Sequence, residues 1–279
     1  GGSETINSNK VLVSIICEAL SQTNIPESCV QFINSTDRKY VAELLKLHQY
    51  IDMIIPRGAN KLHEFCLENS TIPVITGGIG ICHLFVDETA NLEHAIPVIE
   101  NAKVQKPSVC NALDTLLVHK AIAKQFIPKI VVHLQQSGVK LKVDKQSLHI
   151  LENSETITNF KDISLAEAND FDIEWLSLTL GIKIVSNVEE AIAHIHMHST
   201  NHSDGILTEN NENADKFVKE IDSSAVYVNA STRFTDGGQL GLGAEVAVST
   251  QKLHARGPMG LPELSSYKWV IKGSYTSRS

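Results

Sequence analysis

The chain has 279 residues, of which 42% are hydrophobic and 20% charged, as in a globular protein with one large core or two lobes. Its formal net charge of −8 argues against nucleic acid or an anionic membrane as the main partner. No apolar run approaches the roughly 20 residues of a membrane-spanning helix, and no signal peptide opens the chain. Five irregularly spaced cysteines indicate reduced thiols, so we expect a cytoplasmic protein.

The first 80 residues alternate between helical and strand-like periods. Ser3 is a candidate N-cap for a helix whose apolar face carries Leu12, Ile15 and Ile16. This alternation is typical of a doubly wound parallel sheet, which binds ligands past the carboxyl ends of its strands. Further helices are predicted after Asp37 and at residues 62–67, with strands at residues 30–33, 51–55 and 72–75.

The rest of the chain also predicts α/β structure, although residues 135–172 are polar and show no clear period. A strand at residues 267–271 is a candidate for pairing with another subunit. The pattern therefore indicates two α/β lobes. Strands are predicted at residues 81–86, 116–118, 182–185, 206–207 and 225–228, and helices at residues 92–102, 188–197 and 214–221.

Cys110 follows a Pro-Ser turn and has Lys103 and Lys106 close by in sequence. A thiol is a useful nucleophile only as its thiolate, which cationic neighbours favour. The alternative is that Cys110 is a small buried hydrophobic residue, which is the usual position of an intracellular cysteine. The sequence around it leaves both interpretations open.

Two loops predicted to follow strands could hold a ligand. Thr76, Gly77 and Gly78 lie in a glycine-rich loop, where backbone N–H groups can approach a ligand closely. Because a strand is predicted to follow, this is not the dinucleotide fingerprint, and a plain tight turn is the alternative. Arg57 with Gly58 suits a phosphate group, although an exposed arginine at a strand end is common.

Polar residues later in the chain form two further candidate groups. Ser231 and Arg233 could hold a carboxylate through a hydroxyl and a guanidinium fork, or could simply stabilise their loop. Four histidines are crowded together; a helix would place His194 and His198 on one face, with His196 pointing away. Nothing completes a ligand set around them and His202, so we predict a polar helix face and no metal site.

Five segments, taken together, resemble the γ-glutamyl phosphate reductases, a proline-biosynthesis branch of the aldehyde dehydrogenase superfamily. The segments are residues 54–58, 72–83, 101–111, 228–243 and 249–260. The resemblance implies an aldehyde-dehydrogenase-like α/β fold of two doubly wound lobes with the active site at their junction. It also implies that the chain lacks the amino-terminal third of such proteins. The implied divisions are residues 1–80, part of the NADP-binding domain, residues 81–245, the catalytic domain, and residues 246–279, a return and oligomerisation segment.

The resemblance also implies a reaction, the NADPH-dependent reduction of γ-glutamyl phosphate to glutamate-5-semialdehyde and phosphate. Cys110 would attack the acyl carbon and form a thioester, with its backbone N–H helping to hold the oxyanion. Residues implied to lie beside NADP(H) are Arg57, Gly58, Thr76, Gly77, Gly78 and Glu174. Residues implied to bind the substrate are Asn111, Ser231 and Arg233, with Lys103 or Arg256 meeting the leaving phosphate.

Thr76 marks a departure from aldehyde-oxidising relatives, which carry at this position a glutamate that activates water. Threonine is a poor general base, so the thioester should be captured by hydride rather than hydrolysed. Implied partners are a kinase that makes the acyl phosphate and further copies of the chain, as a homo-oligomer. Two alternatives remain open: a cysteine-dependent acyl-phosphatase or acyl transferase without nicotinamide, and a non-catalytic binding module.

Overall fold

The computed structural model describes residues 2–77 and 79–278, and the chain divides into two compact units, of which the first ends at Gly77. In the first unit, Leu45, Cys66 and Val74 form a small core with Ile54 and Leu62 packed against it. Its helices are α1 (Ile6–Ser21), α2 (Lys39–Leu44) and α3 (Asn60–Asn69).

The three predicted helices of the first unit are present, but its predicted strands are largely absent. The strands predicted at residues 51–55 and 72–75 are reduced to one parallel bridge between Ile54 and Val74. Residues 30–33 form no strand. An apolar run becomes a strand only where another strand supplies hydrogen bonds. The apolar residues predicted for α1 do lie on this helix, and Leu12 and Ile15 are exposed there.

A seven-stranded parallel sheet forms the centre of the second unit. The strands are β1 (Cys82–Val86), β2 (Leu113–His119), β3 (Lys140–Val143), β4 (Ile163–Leu165), β5 (Thr179–Val185), β6 (Ser203–Leu207) and β7 (Ala225–Val228). Their order across the sheet is β4-β3-β5-β2-β1-β6-β7. A separate antiparallel pair consists of β8 (Ala247–Ser249) and β9 (Gly257–Met259).

Helices cover both faces of this sheet. They are α4 (Leu92–Val104), α5 (Lys120–Gln136), α6 (Lys145–Glu152), α7 (Val188–His198) and α8 (Asn211–Glu220). Side chains alternate along each strand: Leu116 and Val118 belong to the core with α4, α5 and α6, whereas Leu117 belongs to the core with α7 and α8. The sheet is therefore doubly wound, and the predicted α/β class is confirmed.

The second unit contains elements that the sequence did not predict, and one predicted strand, at residues 267–271, is absent. The polar stretch 135–172 contains β3, α6 and β4, and α5 has no predicted counterpart. Pro128 lies inside α5, although its missing N–H and its ring normally disfavour a helix interior. Residues 267–271 form no strand, and Trp269 and Ile271 are exposed. Among the described residues, no helix is both long and apolar enough to cross a membrane.

The direction of the strands determines which loops can meet. Because neighbouring strands are parallel, the segments that lead into them share one edge of the sheet, the amino edge. Cys110 lies just before β2, and Glu174 lies in the segment before β5. Since β2 and β5 are neighbours, the sheet brings these two sequence-distant residues to the same edge.

Candidate active site

Cys110 sits in the turn between α4 and β2. The turn is closed by a hydrogen bond from the N–H of Ala112 to the carbonyl of Val109, 3.0 Å long. None of the five cysteines forms a disulfide, and Cys110 is half-buried. A nucleophile must be both held in place and reachable by its substrate, and this position allows both.

The segment that leads into β1 passes directly behind the backbone of Cys110. The Cys82 thiol donates a hydrogen bond to the Cys110 carbonyl at 3.2 Å, and burial raises the pKa of Cys82 well above its ordinary value. A Cβ atom placed on Gly80 would lie only 1.7 Å from the same carbonyl oxygen. The Cys110 backbone therefore packs where only a glycine at position 80 leaves room.

Glu174 is hydrogen-bonded to this same segment. Its Oε1 accepts a hydrogen bond from the N–H of Gly80 at 2.9 Å. The carboxylate is half-buried; burial raises the pKa of Glu174, and the bond from Gly80 opposes that shift. Two predicted site residues, Cys110 and Glu174, thus both contact the short backbone segment at Gly80.

Asn111, the residue that follows Cys110, is in contact with Arg233. Arg233 Nη1 donates to the side-chain oxygen of Asn111, and Arg233 Nε donates to Gln105 Oε1 at 2.8 Å. The Asn111 amide is itself held by the carbonyl of Thr235, which accepts from its Nδ2 at 2.8 Å. The guanidinium orientation is therefore set by two side chains, of which Gln105 was not predicted from the sequence.

Ser231 starts the short helical turn that carries Arg233. Its hydroxyl accepts a hydrogen bond from the N–H of Arg233 at 3.2 Å, and Ser231 is buried. In the same turn, Thr232 Oγ1 donates to the backbone carbonyl of Asn111 at 2.7 Å. Ser231 thus supports the arginine loop, and this loop is tied to the residue that follows Cys110.

Lys103 and Arg256 are engaged with carboxylates. Lys103 is completely buried, with its Nζ 3.7 Å from Asp114 Oδ1, so its ammonium faces the interior. Arg256 Nη1 bonds to Asp222 Oδ1 at 2.9 Å, and Lys252 pairs with the same aspartate. The burial of Lys103 favours a role in holding the protein together over contact with a leaving phosphate.

Asp114 lies on β2 and was not predicted from the sequence. Burial raises its pKa to about 6, and the positive charge of Lys103 opposes the shift. Two backbone N–H groups, those of Cys82 and Trp175, donate to its two oxygens at 3.3 and 3.1 Å. Asp114 therefore connects the segment behind Cys110 with the segment that carries Glu174.

The predicted cofactor residues of the first unit lie in two loops. Arg57 and Gly58 are exposed just before α3, whose first residues are not capped by a side chain of the preceding residue. Free N–H groups at a helix start, with an arginine beside them, suit a phosphate. Thr76 is buried and Gly77 half-buried, and Gly78 lies outside the described residues.

The predicted common face of His194 and His198 on α7 is confirmed, but the expectation that this face is polar surface is wrong at His194, which is buried. The rings of His194 and His198 are 4.3 Å apart on one face, whereas His196 bonds to the carbonyl of Glu220. Burial lowers the pKa of His194 to about 2, so its ring is neutral at ordinary pH. Within the described residues, no group of three or more His, Cys, Asp or Glu could hold a metal ion.

Comparisons with known proteins agree with the predicted resemblance. The γ-glutamyl phosphate reductase of Psychromonas ingrahamii is 58% identical over 97% of this chain and 63% of its own length. The enzyme of the same name from Pasteurella multocida is 56% identical over 100% of this chain and 65% of its own length. The crystal structure of γ-glutamyl phosphate reductase from Thermotoga maritima matches with a TM-score of 0.92 at 52% identity, covering 100% of this chain and 65% of that one.

The chain thus spans less than two thirds of the length of these relatives, and it matches them throughout. The resemblance to γ-glutamyl phosphate reductases and the aldehyde-dehydrogenase-like fold are both confirmed by these matches. Residues 7–151, more than half of the chain, also match the model of the aldehyde dehydrogenase family. The chain therefore belongs to the aldehyde dehydrogenase family.

Proposed function

We propose that this chain carries the nucleophile and substrate-binding residues of an NADPH-dependent reductase that converts γ-glutamyl phosphate to glutamate-5-semialdehyde and phosphate. The observation that carries the proposal is the grouping of a half-buried Cys110 with Glu174, through the Gly80 segment, and with the Asn111–Arg233 pair. Relatives more than 50% identical bear the name of this enzyme, which supports the choice of substrate.

Cys110 would perform the covalent step. Its thiolate attacks the acyl carbon, a C–S bond forms, and the C–O bond to phosphate breaks, so that phosphate leaves with its electron pair. The Cys82 thiol bonds to the carbonyl of Cys110, which helps to hold the backbone of the turn that carries the sulfur. A fixed nucleophile has a large rate advantage over one that must first be ordered.

Arg233 would bind the α-carboxylate of the substrate. Its Nε and Nη1 atoms bond to neutral side-chain oxygens of Gln105 and Asn111, so its positive charge is oriented but not neutralised by them. A guanidinium held in this way can form charge-assisted hydrogen bonds to a carboxylate through its remaining N–H groups. Ser231 would support this loop, as its bond to the N–H of Arg233 suggests.

Glu174 and the loop at Arg57 and Gly58 would hold the cofactor. A half-buried carboxylate suits the hydroxyl groups of a ribose, and the start of α3 beside Arg57 suits a pyrophosphate. When bound, NADPH supplies the hydride that reduces the acyl group. Thr76 has no carboxylate to activate water, which protects the thioester from hydrolysis.

The proposal includes a kinase that forms the acyl phosphate, because reduction of a free carboxylate is strongly uphill. It also includes a homo-oligomeric assembly and a cytoplasmic location, where the five free cysteines would stay reduced.

The reverse reaction provides a direct test. The 279-residue chain is incubated with glutamate-5-semialdehyde, inorganic phosphate and NADP⁺, and NADPH is followed by its absorbance. We expect phosphate-dependent NADPH formation that Cys110→Ala abolishes. Release of phosphate from an acyl phosphate without NADPH would instead favour an acyl-phosphatase. Absence of both reactions from the folded chain would contradict the proposal.

A further inference from the structure

A buried ion pair lies between the end of α4 and the start of β2, next to the nucleophile turn. Lys103 and Asp114 are 0% and 3% exposed, and Lys103 Nζ lies 3.7 Å from Asp114 Oδ1. This separation is too long for a hydrogen bond but short enough for a strong ion pair in a buried position. Charged residues are rarely buried without a partner, and these two partner each other.

Asp114 uses its two oxygens for two different backbone groups. Oδ2 accepts from the N–H of Cys82 at 3.3 Å, and Oδ1 accepts from the N–H of Trp175 at 3.1 Å. Cys82 in turn donates to the carbonyl of Cys110, and Trp175 is the residue that follows Glu174. One carboxylate thus connects the segment that holds the nucleophile with the segment that carries the proposed ribose ligand.

An ionised carboxylate accepts both of these bonds at full strength. If Asp114 gained a proton, its hydroxyl oxygen would be a weaker acceptor, and in an asparagine the amide nitrogen would be a donor facing another N–H. Burial raises the pKa of Asp114 to about 6, and Lys103 opposes this shift and favours the ionised form. Burial also lowers the pKa of Lys103, whereas Asp114 favours its charged form. Each residue therefore maintains the charge that the other needs.

We propose that Lys103 and Asp114 are a positioning pair that holds the Cys110 turn and the Glu174 segment in fixed relation to each other. Neither residue contacts the substrate in this assignment. Lys103 keeps Asp114 ionised, and Asp114 keeps the backbones of Cys82 and Trp175 in place. The inference rests on the function proposed above, because it assigns these residues a part in orienting that site.

Cysteine alkylation tests the pair without substrate or cofactor. The intact chain is treated with iodoacetamide, and labelling of each cysteine is followed by peptide mass spectrometry. Exposed Cys29 serves as the reference for reagent reactivity, buried Cys66 reports unfolding of the first unit, and the melting temperature reports unfolding of the whole chain. In Asp114→Asn, we expect Cys110 to react about fivefold faster relative to Cys29, because its turn is released, while Cys66 remains protected and the chain stays folded.

Turnover and its pH dependence supply a second readout. Asp114→Asn should lower kcat for NADPH-linked turnover about tenfold, by misplacing the nucleophile. In Lys103→Met the pKa of Asp114 should rise further, so a larger fraction of the carboxyl is protonated at neutral pH, and turnover should recover as the pH is raised and Asp114 ionises. The titratable groups facing Asp114 are Lys103, Glu174 and the Cys82 thiol, and in Asp114→Asn this recovery should be absent.

Two controls separate positioning from a general loss of stability. Lys142 on β3 pairs with Asp170 at 3.4 Å, and β5 lies between β3 and β2, so Lys142→Met removes a more exposed ion pair two strands away from Asp114. It should leave Cys110 alkylation unchanged. The double variant Lys103→Met with Asp114→Asn leaves no unpaired charge, and is used if either single variant fails to fold.

The outcomes distinguish this inference from the proposed function. Cys110 alkylation within about twofold of the original chain, in folded Asp114→Asn or in the double variant, would overturn the positioning role. If the original chain shows no NADPH-linked turnover, the proposed function fails, while the alkylation comparison still decides the role of the pair.

Discussion

Gly80→Ala is the sharpest test of the site geometry. The added Cβ would lie 1.7 Å from the carbonyl oxygen of Cys110, 2.6 Å from its carbonyl carbon and 2.9 Å from its Cα. Real Cβ atoms essentially never approach closer than 3.0 Å, so the two backbones must separate by at least 1.3 Å, the difference between 3.0 and 1.7 Å. Every one of these contacts is to backbone, so rotation of a side chain cannot relieve the clash.

The expected effect on turnover is larger than the effect on stability. A misplacement of about 1 Å at a reacting centre can cost on the order of 100-fold in rate. Overpacking typically costs about 1–3 kcal/mol, which lowers the melting temperature of a chain this size by roughly 2–12 °C. If the two backbones separate, the hydrogen bond from the N–H of Gly80 to Glu174 would also break, and Glu174 would lose its position.

Gly181→Ala on β5 is the matched control. Its Cβ would meet the side chains of Phe171 and Thr115 at 3.2 to 3.3 Å, and these can shift by a few tenths of an ångström. We expect a similar or smaller fall in melting temperature and turnover within about twofold of the original chain. Steady-state NADPH formation and thermal unfolding measure both effects. A Gly80→Ala variant with normal turnover and normal Cys110 alkylation would refute the close approach of these two backbones.

Periodicity predicted most of the α/β pattern, and its failures have physical causes. The helix predicted at residues 188–197 matches α7 closely. Its apolar residues recur at helical spacing over three turns, and polar residues mark both ends. By contrast, α5 contains Pro128 in its interior, and β3 and β4 are only four and three residues long. Short strands in a polar stretch carry too little alternation to be recognised, and their formation depends on the neighbouring strand.

The edge of the sheet at which the candidate site lies was not predicted from the sequence. Doubly wound sheets usually bind ligands at the carboxyl ends of their strands, yet Cys110 and Glu174 lie at the amino edge of the seven-stranded sheet. Cys110 was a candidate from its cationic neighbours, and Glu174 from family resemblance alone. Neither composition nor periodicity specifies at which edge of a sheet a ligand binds. The alternation of side chains along a strand is the same at its amino and carboxyl ends.

The sequence contains a signal for the buried pair of Asp114 and Lys103. Asp114 interrupts the apolar run of β2, and a charged residue in such a run needs a partner. Lys103 lies one helical turn after Ile99 and two after Ala95, so it falls on the buried face of α4. These positions predict a buried pair, although not its connection to Cys82 and Trp175. Gln105 carries no comparable signal, since its contact with Arg233 depends on packing alone.

Three further changes test separate parts of the protein. Arg233→Lys should raise KM for the acyl phosphate about tenfold, because an ammonium cannot replace the guanidinium fork; an unchanged KM removes Arg233 from carboxylate binding. Thr76→Glu should increase hydrolysis of the acyl-enzyme relative to reduction, since a carboxylate can activate water, and an unaltered product ratio contradicts that account. Asp87→Asn tests the carboxyl edge of the sheet. Burial alone would raise the pKa of Asp87. Hydrogen bonds from Thr208 and Asn213 have the larger effect and hold the pKa of Asp87 below its usual range. A carboxyl whose pKa is lowered by folding stabilises the protein above its unfolded pKa of about 3.9, and loses that contribution as the pH falls through the folded value. The asparagine variant should therefore melt at a lower temperature at neutral pH, with the difference narrowing below about pH 4. Melting curves across this range check it, and equal melting temperatures at neutral pH would show that the carboxylate contributes nothing to this edge.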